Sequence, residues 1–252
     1  MTSGFRAAGR GRLVRALAGQ GYLSAVACVT TGVVEQARQV PVHLDRASAE
    51  PIVALQPDLV FVASYTSPDV VRQLEEAGLV VFQFAGFDSI DRLAEHVRQV
   101  GRLLGAGEKA AEIVRTMHAR LDAVERALTG RQRPRALVYS SFGYTPGAGT
   151  SVGDMLERAG AINLAAQLGL GGWQPLSLEQ VVALDPEVLV VQEDDPLVAE
   201  LERNPALRIL RAVREGRVIR VPARYLTTVS HFIVDGVEYL AEALARMAGG
   251  GP

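Results

Sequence analysis

Six aromatic side chains in this sequence are well suited to holding a ligand, because all of them fall at or near the ends of predicted strands. Aromatic residues make up only 6% of the chain, yet these six lie in the loops where parallel α/β sheets bind their ligands. Rigid rings contact a large, partly apolar molecule at low entropic cost. A role in covering a sheet edge remains open for each of them. The six are Tyr65, Phe87, Phe142, Tyr144, Trp173 and Tyr225.

Two further features near these rings could meet an anionic ligand. The guanidinium of Arg224 has the geometry to bind the carboxylate of a chelate through two hydrogen bonds, although a solvated loop arginine explains the residue equally well. Gly143, Gly147 and Gly149 resemble a phosphate-binding loop, but the segment lacks the lysine of a nucleotide-binding motif. We expect these glycines to serve chain flexibility beside a ligand.

The sequence favours neither a protein-bound metal nor catalysis. The four histidines, His43, His96, His118 and His231, form no metal-binding motif, and Cys28 is the only cysteine. His96 and His118 fall on helical stretches and are expected to face solvent. His231, near Tyr225, is a candidate axial ligand for haem or cobalamin. The alternative is that it is an ordinary loop residue. There is no GxSxG motif, and the acidic run 192–196 is typical of a solvated loop. We therefore expect no metal, no cofactor, no catalytic residue and no enzyme activity.

Composition places these residues in an ordinary globular protein. The chain has 252 residues, 21% of them charged and 48% hydrophobic, with a formal net charge of −2. This balance predicts a folded protein with no nucleic-acid partner. The chain contains no run of 18 apolar residues, so no membrane-spanning helix is predicted. Arg15 and Gln20 interrupt the segment that would have to serve as a signal peptide, so we expect Cys28 to be an inert thiol in a strand over 24–29.

Apolar runs alternate with helix-length amphipathic segments, which predicts an α/β fold. The segment Pro68 to Ala77 is predicted to be one crossover helix, ending at Gly78. A second, longer helix is predicted over 108–128 from apolar residues spaced by three and four. The runs predicted as strands lie at 23–29, 58–64, 79–84, 135–141, 187–192 and 217–222.

An internal repeat divides the chain into two similar halves. Residues 48–62 align without gaps on residues 177–191, with seven of fifteen positions identical and a constant offset of 129. Each copy predicts a serine-capped short helix, a terminating proline and a buried strand. Glu50 and Glu179 fall in the first turn of the two copies, where the helix dipole favours a carboxylate.

With these segments in this order, the chain resembles the ABC-transporter substrate-binding proteins of the helical-backbone class, those of vitamin B12, ferric siderophores and haem. The likeness covers roughly residues 20 to 247. It rests on SAEPIVALQPDLVFVASYTSPDVVRQLEEAGLVVFQF, on the long helix, and on the segments around SLEQVVALDPEVLVV and GRVIRVPARYLTTVSHF. The resemblance implies two Rossmann-like lobes joined by a single long α-helix, with a ligand cleft between the lobes. It places an N-terminal lobe at 1–103, a connecting helix at 104–130 and a C-terminal lobe at 131–252.

The resemblance also implies a function. A protein of this class binds a cobalamin, a ferric siderophore or haem and delivers it to an ABC permease dimer, and we expect a monomer. Acidic residues at the positions of Glu50 and Glu179 meet arginines on the two permease subunits in the family. The first lobe is expected to be shortened at its N-terminus. The protein is expected to be periplasmic or extracytoplasmic and membrane-associated if its true start includes a signal peptide. A chelatase-like tetrapyrrole enzyme and a cytoplasmic sensor of the same fold remain as alternatives.

Overall fold

Strands and helices alternate along the part of the chain that the structure, a computed structural model, describes: residues 48–54 and 57–249. The strands are β1 (Val60–Ala63), β2 (Val81–Phe84), β3 (Arg135–Val138), β4 (Tyr144–Pro146), β5 (Ile162–Asn163), β6 (Trp173–Pro175), β7 (Val188–Gln192) and β8 (Val218–Val221). The helices are α1 (Ala49–Ala54), α2 (Pro68–Glu76), α3 (Ile90–Leu103), α4 (Gly107–Leu128), α5 (Ser151–Arg158), α6 (Leu164–Gln167), α7 (Leu178–Leu184), α8 (Leu197–Arg203), α9 (Pro205–Arg208), α10 (Arg211–Arg214), α11 (Ala223–Leu226) and α12 (Ile233–Gly249). None of these helices combines the length and apolar character needed to cross a membrane.

The chain forms two compact units whose segments alternate along the sequence. Unit 1 contains the described residues up to 86, together with 92–115 and 227–232. Unit 2 contains 87–91, 116–226 and 233–249 of the described chain. The boundary therefore falls inside α4, between Arg115 and Thr116, so that this one helix contributes residues to both units.

Unit 2 is built on a parallel four-stranded sheet of order β5-β3-β7-β8. Its central strand, β7, has four fully buried residues from Val188 to Val191, as expected for a parallel strand covered on both faces. Because all four strands run the same way, their carboxyl ends lie at one edge of the sheet. That edge carries the loops that include most of the predicted ligand-binding residues.

Unit 1 contains the parallel pair β1 and β2, with Val60 opposite Val81. A buried cluster around Leu74 of α2 and Ile52 of α1 packs against these strands. Phe61, Phe82 and Phe84 add an aromatic cluster whose ring centroids lie 5.1–6.1 Å apart. Favourable edge and stacked contacts of this kind hold β2 in register with β1.

The internal repeat is a structural repeat. The helices α1 and α7 begin at equivalent positions, and both Ile52 and its counterpart Val181 are buried. The strand pairing also matches, because Val60 pairs with the first residue of β2 and its counterpart Leu189 pairs with the first residue of β8. A helix and strand that bury the same positions thus occur once in each unit.

The strand and helix predictions are confirmed wherever the structure describes the chain. Strands occur within all five predicted runs from 58 onward. The crossover helix is α2, and Gly78 follows it with a left-handed φ of 79°. The long helix is α4, which buries the predicted face through Ala110, Val114 and Met117. The predicted strand at 23–29, His43 and the expected shortening of the first lobe lie outside the described residues.

The prediction for His96 is wrong. This side chain was expected to face solvent, yet it is only 6% exposed on α3. Its ring centroid lies 4.8 Å from that of Phe84, and its Nε2 lies 3.3 Å from the carbonyl oxygen of Ala85. The ring is thus buried against the end of β2. His118 does have an exposed side chain, with Nε2 4.0 Å from a carboxylate oxygen of Asp91.

Candidate functional site

A two-stranded antiparallel ribbon carries two of the predicted ligand-binding aromatics, and a third, Phe142, lies in the turn directly before it. Strands β4 and β6 pair so that Tyr144 lies opposite Pro175 and Trp173 lies opposite Pro146. The sequence placed these residues in glycine-rich loops, because segments of three residues containing proline lack the alternation of a strand. The ribbon is therefore a feature of unit 2 that sequence analysis missed.

The two prolines fit the ribbon because of where they fall in it. Leu176 N–H donates to the Gly143 carbonyl, and Gly147 N–H donates to the Gly172 carbonyl. Hydrogen-bonded and non-hydrogen-bonded pairs alternate in an antiparallel ladder, so the prolines occupy the non-hydrogen-bonded positions. Their missing N–H groups cost no ladder bond there.

The same register places the rings of Tyr144 and Trp173 on one face of the ribbon. Tyr144 lies opposite Pro175, and Trp173 lies two residues before Pro175 on the same strand, so all three share a face. Tyr144 and Trp173 are therefore diagonal neighbours, a relation in which residues are typically about 7–8 Å apart. Thr145 points the other way and is fully buried. The rings are open to solvent: Trp173 is 54% exposed, Tyr144 45%, and Phe142, two residues before Tyr144, 77%. We call these three exposed rings, those of Tyr144 and Trp173 on the ribbon and that of Phe142 in the turn before it, the aromatic face.

Two polar side chains hold the ribbon to the rest of unit 2. Asn163, at the end of β5, donates from Nδ2 to the carbonyl of Pro146 at 3.0 Å and caps α6 with its Oδ1. Thr150 donates to the carbonyl of Gly147 at 2.9 Å and accepts from the backbone of Gly153 as N-cap of α5. Both side chains are buried. Their only sequence signal is that each is a good N-cap residue type.

Gly147 serves close packing of two chain segments. A Cβ atom at this position would lie 2.1 Å from the carbonyl oxygen of Leu170. The backbone N–H of the next residue, Ala148, donates a hydrogen bond to the same carbonyl. Gly143 and Gly149 have left-handed φ values of 74° and 69°. The glycines that resembled a phosphate loop thus have structural explanations: one permits a close approach and two adopt backbone conformations that glycine favours.

We expect Gly147→Ala to lower the free energy of unfolding by about 1–3 kcal/mol, because the new methyl group meets backbone that cannot rotate away. Gly107→Ala is the matched control: it lies at the first residue of α4, with nothing within 4 Å of its Cβ position. That variant should be neutral or more stable by a few tenths of a kcal/mol. Urea denaturation followed by circular dichroism measures both, and equal midpoints for the two variants would contradict the close approach.

The loop that follows β3 is fixed to the loop that follows β7. Ser141 N–H donates to both carboxylate oxygens of Asp195, at 3.1 and 3.2 Å. Asp195 also accepts from Leu197 N–H at 2.8 Å, at the start of α8. The acidic run was predicted to be a solvated loop, and Glu193 and Asp194 are indeed exposed, but Asp195 is a structural acceptor. It positions the residue next to Phe142 at the carboxyl edge of the sheet.

Arg224 and Tyr225 lie together in α11, directly after β8. The guanidinium carbon of Arg224 lies 4.7 Å from the centroid of the Tyr225 ring, and Nη2 donates to the Tyr225 hydroxyl at 3.4 Å. This hydroxyl and the nearby carboxylate of Glu193 raise the pKa of Arg224 above its ordinary value. Tyr225 in turn packs against Tyr239 of α12, with ring centroids 5.3 Å apart.

Glu179 is an exposed carboxylate at the start of α7. Hydrogen bonds from Ser177 and from its own backbone N–H lower its pKa below the usual value. Ser177 and Gln180 form a capping box around it. Burial raises the pKa of Tyr139 above its ordinary value, and the negative charge of Glu179 adds a smaller effect in the same direction. The Tyr139 hydroxyl donates to the carbonyl oxygen of Leu176 at 2.9 Å. Glu50, its counterpart, is exposed in the first turn of α1.

The remaining predicted residues are divided between the units. Phe87 belongs to unit 2, where its carbonyl accepts from Ser151 N–H at 3.2 Å at the start of α5. Tyr65 belongs to unit 1 and follows β1, with 47% of its surface exposed. His231, also in unit 1, has its ring centroid 4.0 Å from that of Phe232. Unit 2 therefore brings together the aromatic face, Arg224 and Tyr225 at the carboxyl edge of one sheet.

Across residues 48–54 and 57–249, no group of three or more His, Cys, Asp or Glu side chains has an arrangement that could hold a metal ion. The site is instead a set of exposed rings beside one guanidinium and several carboxylates. Concentrated aromatic surface at the carboxyl ends of parallel strands is typical of α/β proteins that bind small molecules.

The chain belongs to the periplasmic binding protein family, whose sequence model matches residues 25–225. It is similar to the cobalamin-binding protein of Halobacterium salinarum, with 32% identity over 206 residues that cover 79% of this chain and 56% of that protein. It is also similar to an ABC transporter substrate-binding lipoprotein of Bacillus subtilis strain 168, with 28% identity covering 78% of this chain and 65% of the relative. The chain thus spans little more than half the length of the first of these relatives.

Solved structures give the same result for the fold. A periplasmic haem-binding protein from Pseudomonas aeruginosa is 27% identical and superposes with a TM-score of 0.74, covering 94% of both chains. The α/β fold class and the family resemblance predicted from the sequence are therefore confirmed.

Proposed function

We propose that this protein is the substrate-binding component of an ABC importer and that it binds a cobalamin or an iron chelate, a siderophore or haem. The observation that carries the proposal is the aromatic face, where Tyr144, Trp173 and Phe142 expose large ring surfaces at the carboxyl edge of the unit 2 sheet. The relatives named for cobalamin, haem and ABC transport add support. Extracytoplasmic location follows from the same proposal.

The aromatic face would bind its ligand by burying apolar surface. Exposed rings are poorly hydrated on their faces, so covering them with a flat, apolar side of a macrocycle or chelate releases water. The ribbon is held by Asn163 and Thr150, which keeps the rings in place before the ligand arrives. Little conformational entropy is then lost on binding. Phe87 and Tyr225 are the further aromatic contacts in unit 2, Arg224 is the polar contact there, and Tyr65 is proposed as a ligand-binding residue of unit 1.

Delivery is the second part of the proposal. Glu50 and Glu179 begin equivalent helices, one in each unit, and both carboxylates are exposed. A permease dimer offers two copies of one surface, so a binding protein with one carboxylate per unit has a matched contact for each subunit. A monomer suffices for this arrangement. No bond in the ligand is made or broken, so the protein needs no catalytic group.

A titration panel tests the proposal. Trp173 is the only tryptophan of the chain, so its fluorescence reports directly on the aromatic face. We expect cyanocobalamin, haem or a ferric siderophore to quench this fluorescence saturably and to give a matching affinity by isothermal titration calorimetry. The calorimetric measurement separates binding from absorption of light by the coloured ligand. Binding by no member of the panel would overturn the proposed function.

A further inference from the structure

The ribbon that carries the aromatic face is uncharged. The segments 142–147 and 171–176, which contain β4 and β6 with their flanking residues, include no Asp, Glu, Lys, Arg or His. The polar side-chain groups on the face of the rings are the phenol of Tyr144 and the indole N–H of Trp173, because Thr145 and Gln174 lie on the opposite face. A ligand covering this ribbon therefore meets rings and neutral dipoles, and any net charge that it carries must be compensated by other parts of the sheet edge.

The loops at that edge hold more negative than positive charge. The segments that follow the four strands of the unit 2 sheet are 139–143, 164–172, 193–196 and 222–226, and together they carry one guanidinium and three carboxylates. The carboxylates are Glu193, Asp194 and Asp195, which end the central strand β7. Glu193 N–H donates to the carbonyl of Val221, so this acidic loop lies directly beside the end of β8.

The single guanidinium of these loops already has partners. Arg224 lies over the ring of Tyr225, donates to its hydroxyl, and is influenced by the charge of Glu193. An anionic ligand that reached this group would enter the negative field of Glu193 and would also approach the exposed carboxylate of Asp194. Asp195 adds a third negative charge, tied by Ser141 to the loop of Phe142. Like charges repel, and they do so more strongly where a bound ligand excludes water.

We propose that this edge selects electroneutral metal chelates, such as corrin amides and ferric hydroxamates, and discriminates against anionic ligands such as haem with its propionates, ferric catecholates and oxyanions. The selection has two parts: an uncharged aromatic ribbon that rewards apolar contact, and a neighbouring acidic loop that penalises negative charge. This inference rests on the proposed function, because it specifies the ligand class of the same site.

A pair of ligands with the same shape and different charge gives the sharpest test. Cyanocobalamin is electroneutral, and its monocarboxylate, in which one side-chain amide is hydrolysed, carries one negative charge at pH 7. We expect the monocarboxylate to bind at least threefold more weakly by calorimetry at low salt. The gap should shrink at 500 mM salt, where the Debye length falls well below 10 Å. A neutral ferric hydroxamate and an anionic ferric catecholate form the second pair, and haem and molybdate complete the anionic set.

Variants locate the effect. The double variant Glu193→Gln with Asp194→Asn should narrow the affinity ratio between the neutral and the charged partner of a pair. Glu200→Gln removes an exposed carboxylate from α8, away from the strand end, and should leave that ratio unchanged. A ratio that does not respond to the double variant would overturn the assignment of selectivity to this loop.

The outcomes separate this inference from the function on which it rests. Tighter binding of haem, molybdate, the catecholate or the monocarboxylate than of the neutral chelates would overturn charge selection and leave the proposed importer function standing. Binding of no chelate at all would overturn both. Preference for a neutral member of either pair, reduced by the double variant, supports the inference, and the pair that binds identifies the chelate as a corrin or a hydroxamate.

Discussion

Replacing Trp173 by alanine is expected to weaken binding of the preferred chelate by about 1 to 3 kcal/mol, a loss of roughly five- to 150-fold in affinity. The indole is half exposed, while Pro146, the residue paired with Trp173 in the ribbon, is buried. A ligand can therefore cover the exposed part of the ring without any change in the fold. Because the variant loses the only tryptophan, calorimetry is the measurement. The unfolding midpoint should change little, since an exposed side chain contributes little to stability.

Two controls make this result interpretable. Ile209→Ala removes a comparably exposed apolar side chain from unit 2, between α9 and α10, and should bind like the wild type. Tyr144→Ala removes the diagonal neighbour of Trp173 and should weaken binding in the same direction. Unchanged affinity in Trp173→Ala, with a normal unfolding midpoint, would show that the aromatic face is only surface.

The elements that a local pattern specifies were predictable from the sequence. Strand β7 is a continuous apolar run, and α4 repeats its apolar residues at helical spacing, so each carries its own signal. The repeat added long-range information, because two copies with one helix, one proline and one strand imply two similar units. Each of these features is visible within one short segment or by comparing two such segments, which is why it was found.

The features that were missed depend on residues far apart in the chain. His96 is buried because the ring of Phe84 lies beside it, although its own helix gave no sign of this. The ribbon exists because β4 meets β6, roughly thirty residues later, and neither three-residue strand has a pattern alone. The bond from Ser141 to Asp195 spans 54 residues. The sequence could therefore nominate loops for the site and could not provide their register or their partners.

Reversing the charge of Glu50 and Glu179 together is expected to weaken association with the cognate permease by more than tenfold while ligand affinity stays within twofold. The reason is electrostatic: in the proposed docking, each carboxylate meets a cation on one permease subunit, and Glu50→Arg with Glu179→Arg sets like charges opposite each other in both contacts. The loss of affinity should be larger at 50 mM than at 500 mM salt, because exposed charges are less screened at the lower salt concentration. Surface plasmon resonance on permease in nanodiscs measures it.

A helix-dipole role alone would also favour a carboxylate at either position, worth about 0.3–1 kcal/mol of stability each. Two comparisons separate that role from docking. Glu75→Arg with Glu200→Arg makes the same change in net charge at exposed positions of α2 and α8, one per unit, and should dock normally. The double variant Glu50→Gln with Glu179→Gln removes both negative charges and introduces no positive charge that could repel the permease. It should leave the two helices intact and weaken docking less than charge reversal does. If the reversed double variant docks and supports uptake like the wild type, the two carboxylates serve only their helices, and the permease contact lies elsewhere on the protein.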